Sequence, residues 1–275
     1  MNADFITLSS AVQAVGRHAL SAYAAALVLL LMLAAALCWL IPRYGVRRPE
    51  SRRPPLTYLV GYMSLGFLLI AGSAALFVEI AGLLGNGKTL GQLDQVLSDT
   101  LRATLSTDSV LVFAALTHLG DPLTLTVLGA VVAILLAWQR RYGLCVSWIF
   151  ALAGNAVLNP FLKNIFQRIR PVHDEGRIFA DGWSFPSGHT SGSVVSYGML
   201  AYVLVRLLPP RWPGARTPAV MLMVAIAFTT GISRVFLQVH FASDVLAGFA
   251  SGTAWLAMCI GASELARYRQ SYLGR

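Results

Sequence analysis

The chain has 275 residues, of which 56% are hydrophobic and only 12% charged, with a formal net charge of +9. Soluble domains carry about 25% charged residues, so this composition excludes an ordinary soluble enzyme and points to a chain immersed in a bilayer. Its basic residues gather between apolar stretches rather than on a basic helix interleaved with aromatics, which excludes a nucleic-acid-binding module and fits cytoplasmic loops.

Residues 5–15 are weakly amphipathic, and the first apolar stretch covers 20–41. Arg17 alone precedes that stretch, whereas Arg43, Arg47, Arg48, Arg52 and Arg53 follow it, so it reads as a retained span rather than a cleaved leader. Further apolar stretches cover 57–80, 118–138, 143–162, 189–208, 217–236 and 244–264. Each can form a helix that crosses a hydrocarbon layer roughly 30 Å thick. Helix is expected because lipid leaves backbone polar groups unsatisfied. Between the second and third stretches, Leu90, Leu93, Leu97, Leu101 and Leu105 recur at helical spacing among Asp94, Asp99 and Arg102, which predicts an amphipathic helix on the outer leaflet.

Pro54-Pro55 and Pro209-Pro210 mark loops. Glu79 reads as a snorkelling or capping residue at a span end. Asn155 and Asn159, four apart, share one helix face and predict a bridge to a neighbouring helix. Cys38, Cys145 and Cys259 lie scattered in apolar runs, with neither a metal-site spacing nor a disulfide framework.

Basic residues set the orientation. Besides the first loop, Arg140, Arg141, Arg206, Arg211, Arg216, Arg267, Arg269 and Arg275 fall on the same side of this seven-span arrangement. The positive-inside rule then places the C-terminus inside and the N-terminus outside.

Three short segments remain, all at the outer ends of spans. They are Lys163 with Arg170-Pro171; Pro186-Ser187-Gly188-His189; and Ser233-Arg234 with His240 and Asp244. Arginine forks match phosphate oxygens and lysine adds a point charge. Arg168 and Arg177 instead read as snorkelling side chains, and His173 as a solvated loop residue. Ser187 and Gly188 open an apolar helix, whose first N–H groups form an anion site that Gly188 lets a ligand approach closely. His189 is placed to protonate a leaving oxygen. Trp183 and Phe185 flank this segment, as pocket walls or interface anchors. His240 and Asp244, four apart, share a face if helical. The carboxylate then holds the imidazole tautomer and leaves the other nitrogen free to attack.

These residues resemble the type 2 phosphatidate phosphatase superfamily, which also includes vanadium-dependent haloperoxidases and bacterial acid phosphatases. Its pattern is a lysine, six residues and Arg-Pro; then Pro-Ser-Gly-His; then Ser-Arg, five residues, His, three residues and Asp. Every position is present here, and the resemblance covers roughly residues 60–265. It implies that His240 is the nucleophile of a phosphohistidine intermediate, oriented by Asp244. His189 serves as acid and then base, while Lys163, Arg170, Arg234, Ser187 and Gly188 hold the phosphoryl group. It implies no cofactor, and the scattered acidic residues Asp174, Glu175 and Asp181 suggest no metal.

The expected architecture is an all-α polytopic bundle with one span added to the usual six-helix core. Residues 1–56 form the extra span and its basic loop, 57–266 the phosphatase core and 267–275 a cytoplasmic tail. The expected activity is hydrolysis of a lipid phosphate monoester or diphosphate at the outer face of a bacterial inner membrane. Undecaprenyl diphosphate, phosphatidylglycerophosphate, phosphatidate and a lipid A phosphate are the candidates. A lipid phosphotransferase using the same residues, and a transporter that only binds its lipid or ion, are the alternatives.

Overall fold

The computed structural model describes residues 3–44, 56–86, 88–171, 182–208 and 212–272. The expected loops at Pro54-Pro55 and Pro209-Pro210, His173, Arg177, the acidic residues Asp174, Glu175 and Asp181, and most of the first basic loop lie outside these residues. Within them the fold is all-helical: α1 (Ala3–Arg17), α2 (Ala19–Tyr44), α3 (Leu56–Asn86), α4 (Lys88–Thr104), α5 (Thr107–Thr117), α6 (Pro122–Trp138), α7 (Tyr142–Phe166), α8 (Gly188–Leu207), α9 (Arg216–Phe236) and α10 (Ala242–Tyr272). Short 3-10 turns occupy His118–Gly120 and Pro213–Ala215.

All seven apolar stretches are helical. Five helices, within α2, α3, α7, α9 and α10, are individually long and apolar enough to cross a membrane, and the α5–α6 pair makes a sixth if taken as one span. The stretch expected at 118–138 is not one straight helix. It starts earlier, at Thr107, and bends by 42° around residue 121. Asp121-Pro122 explains the break: proline lacks the N–H that would continue the helix, suits the first position of a new one, and holds Asp121 extended at φ −62°, ψ 142°.

At the centre, α8 packs against α7, α9 and α10. Its inward residues are small and polar as well as apolar: Thr190, Ser191, Gly192, Ser193 and Ser196 are buried alongside Val195, Met199 and Val203. Small side chains let helices approach closely in a bilayer. The Asn pair on α7 lies at such a contact, and Asn159 Nδ2 donates to Pro186 O (3.4 Å) and Ser191 Oγ (3.2 Å). Cys145 and Cys259 pack in an apolar cluster with Trp148, Val195 and Met199.

A close backbone approach couples α10 to the start of α8. A Cβ on Gly248 would lie 2.8 Å from both Ser187 O and Thr190 Cβ. Backbone cannot yield as a flexible side chain can, so Gly248→Ala should destabilise the fold by about 1–3 kcal/mol, the usual cost of overpacking. Thermal unfolding in detergent checks this, and an unchanged midpoint would show that the contact yields.

Helix α4 departs from the expectation of a leaflet-bound helix. Leu101 is 1% exposed, and Leu97 and Leu105 pack with Phe113, Val235 and Phe236. Leu90 packs beside Phe185 and Ile80. The leucine stripe therefore faces protein, and α1 runs against α4 through contacts such as Thr104 Oγ1 donating to Gly16 O (3.2 Å). The physical reason is a buried partner for Asp94, described below.

Candidate active site

The three segments converge because each lies where a helix stops or starts. Helix α7 ends when Gln167 takes a left-handed conformation (φ 44°) and its N–H bonds Lys163 O. The chain then runs back across the site. Lys163 Nζ donates to Trp183 O (2.8 Å). Arg170 donates to Gly182 O (3.0 Å), Trp183 O (3.4 Å) and Val239 O (2.8 Å). The first segment is thus tied through backbone carbonyls to the residues leading into the second and to the third.

Ser187 occupies the N-cap position of α8 with an extended backbone and no side-chain capping bond, and its N–H bonds Asp244 O (3.0 Å). A Cβ at Gly188 would lie 2.9 Å from Asn159 Oδ1, so only glycine fits there without displacing the α7 amide. The first N–H groups of α8 open toward this end of the bundle.

Arg234, near the end of α9, is 4% exposed. Nη1 donates to Thr117 Oγ1 (2.9 Å), whereas Nε is buried without a hydrogen-bond partner among the described residues. An orphaned buried guanidinium donor is costly unless an anion completes it. Lys163, Arg170 and Arg234 lie within electrostatic reach of one another, a crowding of like charge that an anion would relieve.

His240 and Asp244 do not share a helix face as expected. His240 lies in the turn before α10, which starts at Ala242, and its Nδ1 is 3.5 Å from Asp244 Oδ2. Ser184 bridges the gap, with Oγ 2.5 Å from Asp244 Oδ2 and 3.2 Å from His240 Nδ1. The other ring nitrogen, Nε2, is 3.0 Å from Arg170 Nη1. Arginine can only donate, so Nε2 carries the lone pair, Nδ1–H donates to Ser184 Oγ, and Ser184 donates to Asp244. Burial pushes the His240 pKa down to about 3, against the raising effect of Asp244, so the ring is neutral near pH 7 with its lone pair on Nε2.

Asp244 is fully buried and has a second partner of opposite charge. Arg168 donates to Asp244 Oδ1 (2.6 Å), Asp94 Oδ2 (2.8 Å) and Ser243 Oγ (2.6 Å), and stacks 4.4 Å from the Phe241 ring centroid. Asp94 also accepts from the Ser243 N–H and hydroxyl. Arg168 therefore does not snorkel. It joins two buried carboxylates, one from α4 and one from α10.

A family model described as the PAP2 superfamily matches residues 144–267, which contain all three segments. Phosphatidylglycerophosphatase B of Bacillus subtilis (strain 168) is 32% identical over 165 residues, covering 58% of this chain and 78% of that protein. The chain belongs to the PAP2 superfamily. Lipid A 1-phosphatase of Rhizobium johnstonii is 32% identical over 136 residues, 44% of this chain and 50% of that protein. The chain thus spans about half of that relative's length. The crystal structure titled as the first transmembrane PAP2 type phosphatidylglycerolphosphate phosphatase, from Bacillus subtilis, superposes with a TM-score of 0.67 at 26% identity. The match covers 72% of this chain and 97% of that one.

This PAP2 site also contains residues that the motif pattern does not include. Arg168 and Ser184 lie beside motif positions. Asp94, Thr117 and Asp121 come from the half of the chain before residue 144. Asp121 Oδ1 lies 2.9 Å from His189 Nε2, and its Oδ2 lies 2.5 Å from His118 Nδ1. The sequence signal for Asp121 was an Asp-Pro pair opening an apolar run, which marks a helix start. Phe185 neither walls a pocket nor anchors at an interface: it is fully buried against Phe77 and Phe166, while Trp183 is 38% exposed.

Proposed function

We propose that this PAP2 protein is a membrane lipid phosphatase acting through a phosphohistidine on His240. The observation that carries the reading is the orientation of that ring, whose neutral Nε2 lone pair faces Arg170 within a cluster of protein cations. The names of the relatives support a lipid phosphate as substrate. We take a phosphate monoester or diphosphate, such as phosphatidylglycerophosphate, phosphatidate, undecaprenyl diphosphate or a lipid A phosphate. The tail stays in the bilayer while the head reaches the outer end of the bundle, with the C-terminus in the cytoplasm and the protein in a bacterial inner membrane.

The phosphoryl oxygens take over the donors of Arg170, Arg234, Lys163, Ser187 and the Gly188 N–H, which frees Nε2 from Arg170. Nε2 attacks phosphorus in line with the leaving oxygen. The N–P bond forms as the P–O bond to the lipid breaks, and protonated His189 gives its proton to the departing oxygen. Asp244, through Ser184, stabilises the positive charge that develops on the His240 ring. A water then gives a proton to His189 and attacks phosphorus. The N–P bond breaks, its electron pair returns to Nε2, and inorganic phosphate departs. The cations stabilise charge on the equatorial oxygens throughout, the role that magnesium fills in other phosphoryl-transfer sites.

Phosphate release from a panel of lipid phosphates, measured with EDTA present, tests the reading. We expect undiminished release, competitive inhibition by vanadate, and a radiolabelled phosphoenzyme that is stable to base and labile to acid. Loss of activity with EDTA would overturn the metal-independent mechanism. Label passing to a second lipid with no free phosphate would replace the hydrolase with a phosphotransferase.

A further inference from the structure

We propose that Asp121 is a positioning residue for the proton-transfer histidine, fixing the tautomer of His189 and stabilising its protonated form. This rests on the reading of His189 as the acid.

Asp121 occupies the position preceding α6, where an aspartate ordinarily caps the helix. Here its side chain makes no capping bond. Both carboxylate oxygens are turned instead to imidazoles, Oδ1 to His189 Nε2 (2.9 Å) and Oδ2 to His118 Nδ1 (2.5 Å). The local backbone makes this reach possible. At Gly120 a Cβ would meet Thr230 Cγ2 at 2.3 Å and Ser193 Oγ at 2.7 Å, and would lie 3.5 Å from His189 O. Because residue 120 lacks a side chain, the 3-10 turn lies directly against the start of α8 and the later part of α9, with Asp121 beside His189. The two histidine side chains differ in exposure, 19% for His189 and 72% for His118. The carboxylate therefore joins a half-buried ring to one open to solvent.

The chemistry follows from which nitrogen is engaged. With Nε2–H donated to Asp121, Nδ1 is the nitrogen left for the leaving oxygen, and it has no hydrogen bond among the described residues. As an acid, His189 must carry a positive charge while Arg234 and Lys163 lie nearby. Burial and those cations oppose that charge, and Asp121 is the carboxylate that acts against them. His118 holds the second oxygen and so fixes the plane of the carboxylate. Asp121 thus serves His189 as Asp244 serves His240, but through a direct bond to Nε2 where Asp244 acts through Ser184 on Nδ1, and it comes from a part of the chain outside the matched family stretch.

The leaving group provides the test. An alkyl phosphate needs a proton as its P–O bond breaks, whereas p-nitrophenolate departs without one. The first chemical step is measured in single turnovers of the full-length protein in detergent, with a dialkylglycerol phosphate and with p-nitrophenyl phosphate. General acid catalysis contributes about 10²–10⁴-fold. Asp121→Asn, which keeps the shape, should slow the alkyl substrate by on the order of 10²-fold and the aryl substrate by less than about 3-fold. An equal loss on both substrates, or no loss on either, overturns the proposal. His189→Gln is the reference and should show the same split. If it splits the two substrates while Asp121→Asn does not, only the role of Asp121 falls. If His189→Gln slows both equally, the acid assignment falls and the role of Asp121 falls with it.

Discussion

His240→Ala should lower phosphate release by about 10³-fold or more, the scale seen when a covalent nucleophile is removed. The loss should fall on turnover rather than on affinity. Lys163, Arg170 and Arg234 are held by the carbonyls of residues 182, 183 and 239 and by Thr117, so an alanine at 240 leaves their backbone anchors intact. Vanadate or substrate should still bind within several-fold of the wild-type affinity, while no phosphoenzyme accumulates. Residual activity above about one hundredth of wild type, or label still trapped on the protein, would mean that another group attacks.

Arg168→Ala should have the largest effect on stability, about 3–5 kcal/mol, because it strands two buried carboxylates. Asp94 is 5% exposed and Asp244 fully buried, and each takes one arm of the same guanidinium. Removing that charge leaves Asp244 with a neutral His240, the Ser184 hydroxyl and the Phe241 N–H but no paired cation, and leaves Asp94 with Ser243. The thermal midpoint in detergent reads the loss. A double-mutant cycle with Asp94→Asn separates this cause from simple loss of packing, because Asp94→Asn alone should cost less, and combined with Arg168→Ala it should recover part of the deficit. Additive losses would show that Arg168 stabilises by its contact with Phe241 rather than by charge.

The convergence of the eight candidate site residues was legible because the spacing of each segment places its charges at a span end, and the alternation of spans then brings those ends to one face. Legibility ended where partners come from distant helices. Arg168 lies among arginines, and nothing local distinguishes a snorkelling side chain from one joined to Asp94, 74 positions earlier. The leucine stripe of α4 correctly announced an amphipathic helix. An apolar stripe is equally suited to lipid and to protein, however, and a buried arginine on the far side of the sequence decided between them. His240 and Asp244 misled through their spacing, since a four-residue separation fits a helix as well as the turn that is present. Ser184 then fills a gap that spacing cannot reveal. In the α5–α6 region hydropathy located the apolar run, while Pro122 located the break that turns Asp121 and Thr117 toward the site.

The polar lining of α8 has a consequence for how the chain enters a bilayer. A helix is stabilised there by the apolar surface it offers to lipid, and α8 gives up part of that surface to Thr190, Ser191, Ser193 and Ser196, which are buried against its neighbours. Its neighbours α7, α9 and α10 are each long and apolar enough to cross a membrane, and α8 is not among the helices that pass on length and apolarity alone. The segment that opens the candidate site thus has its polar face covered by α7, α9 and α10, so the site belongs to the assembled helices rather than to any one span.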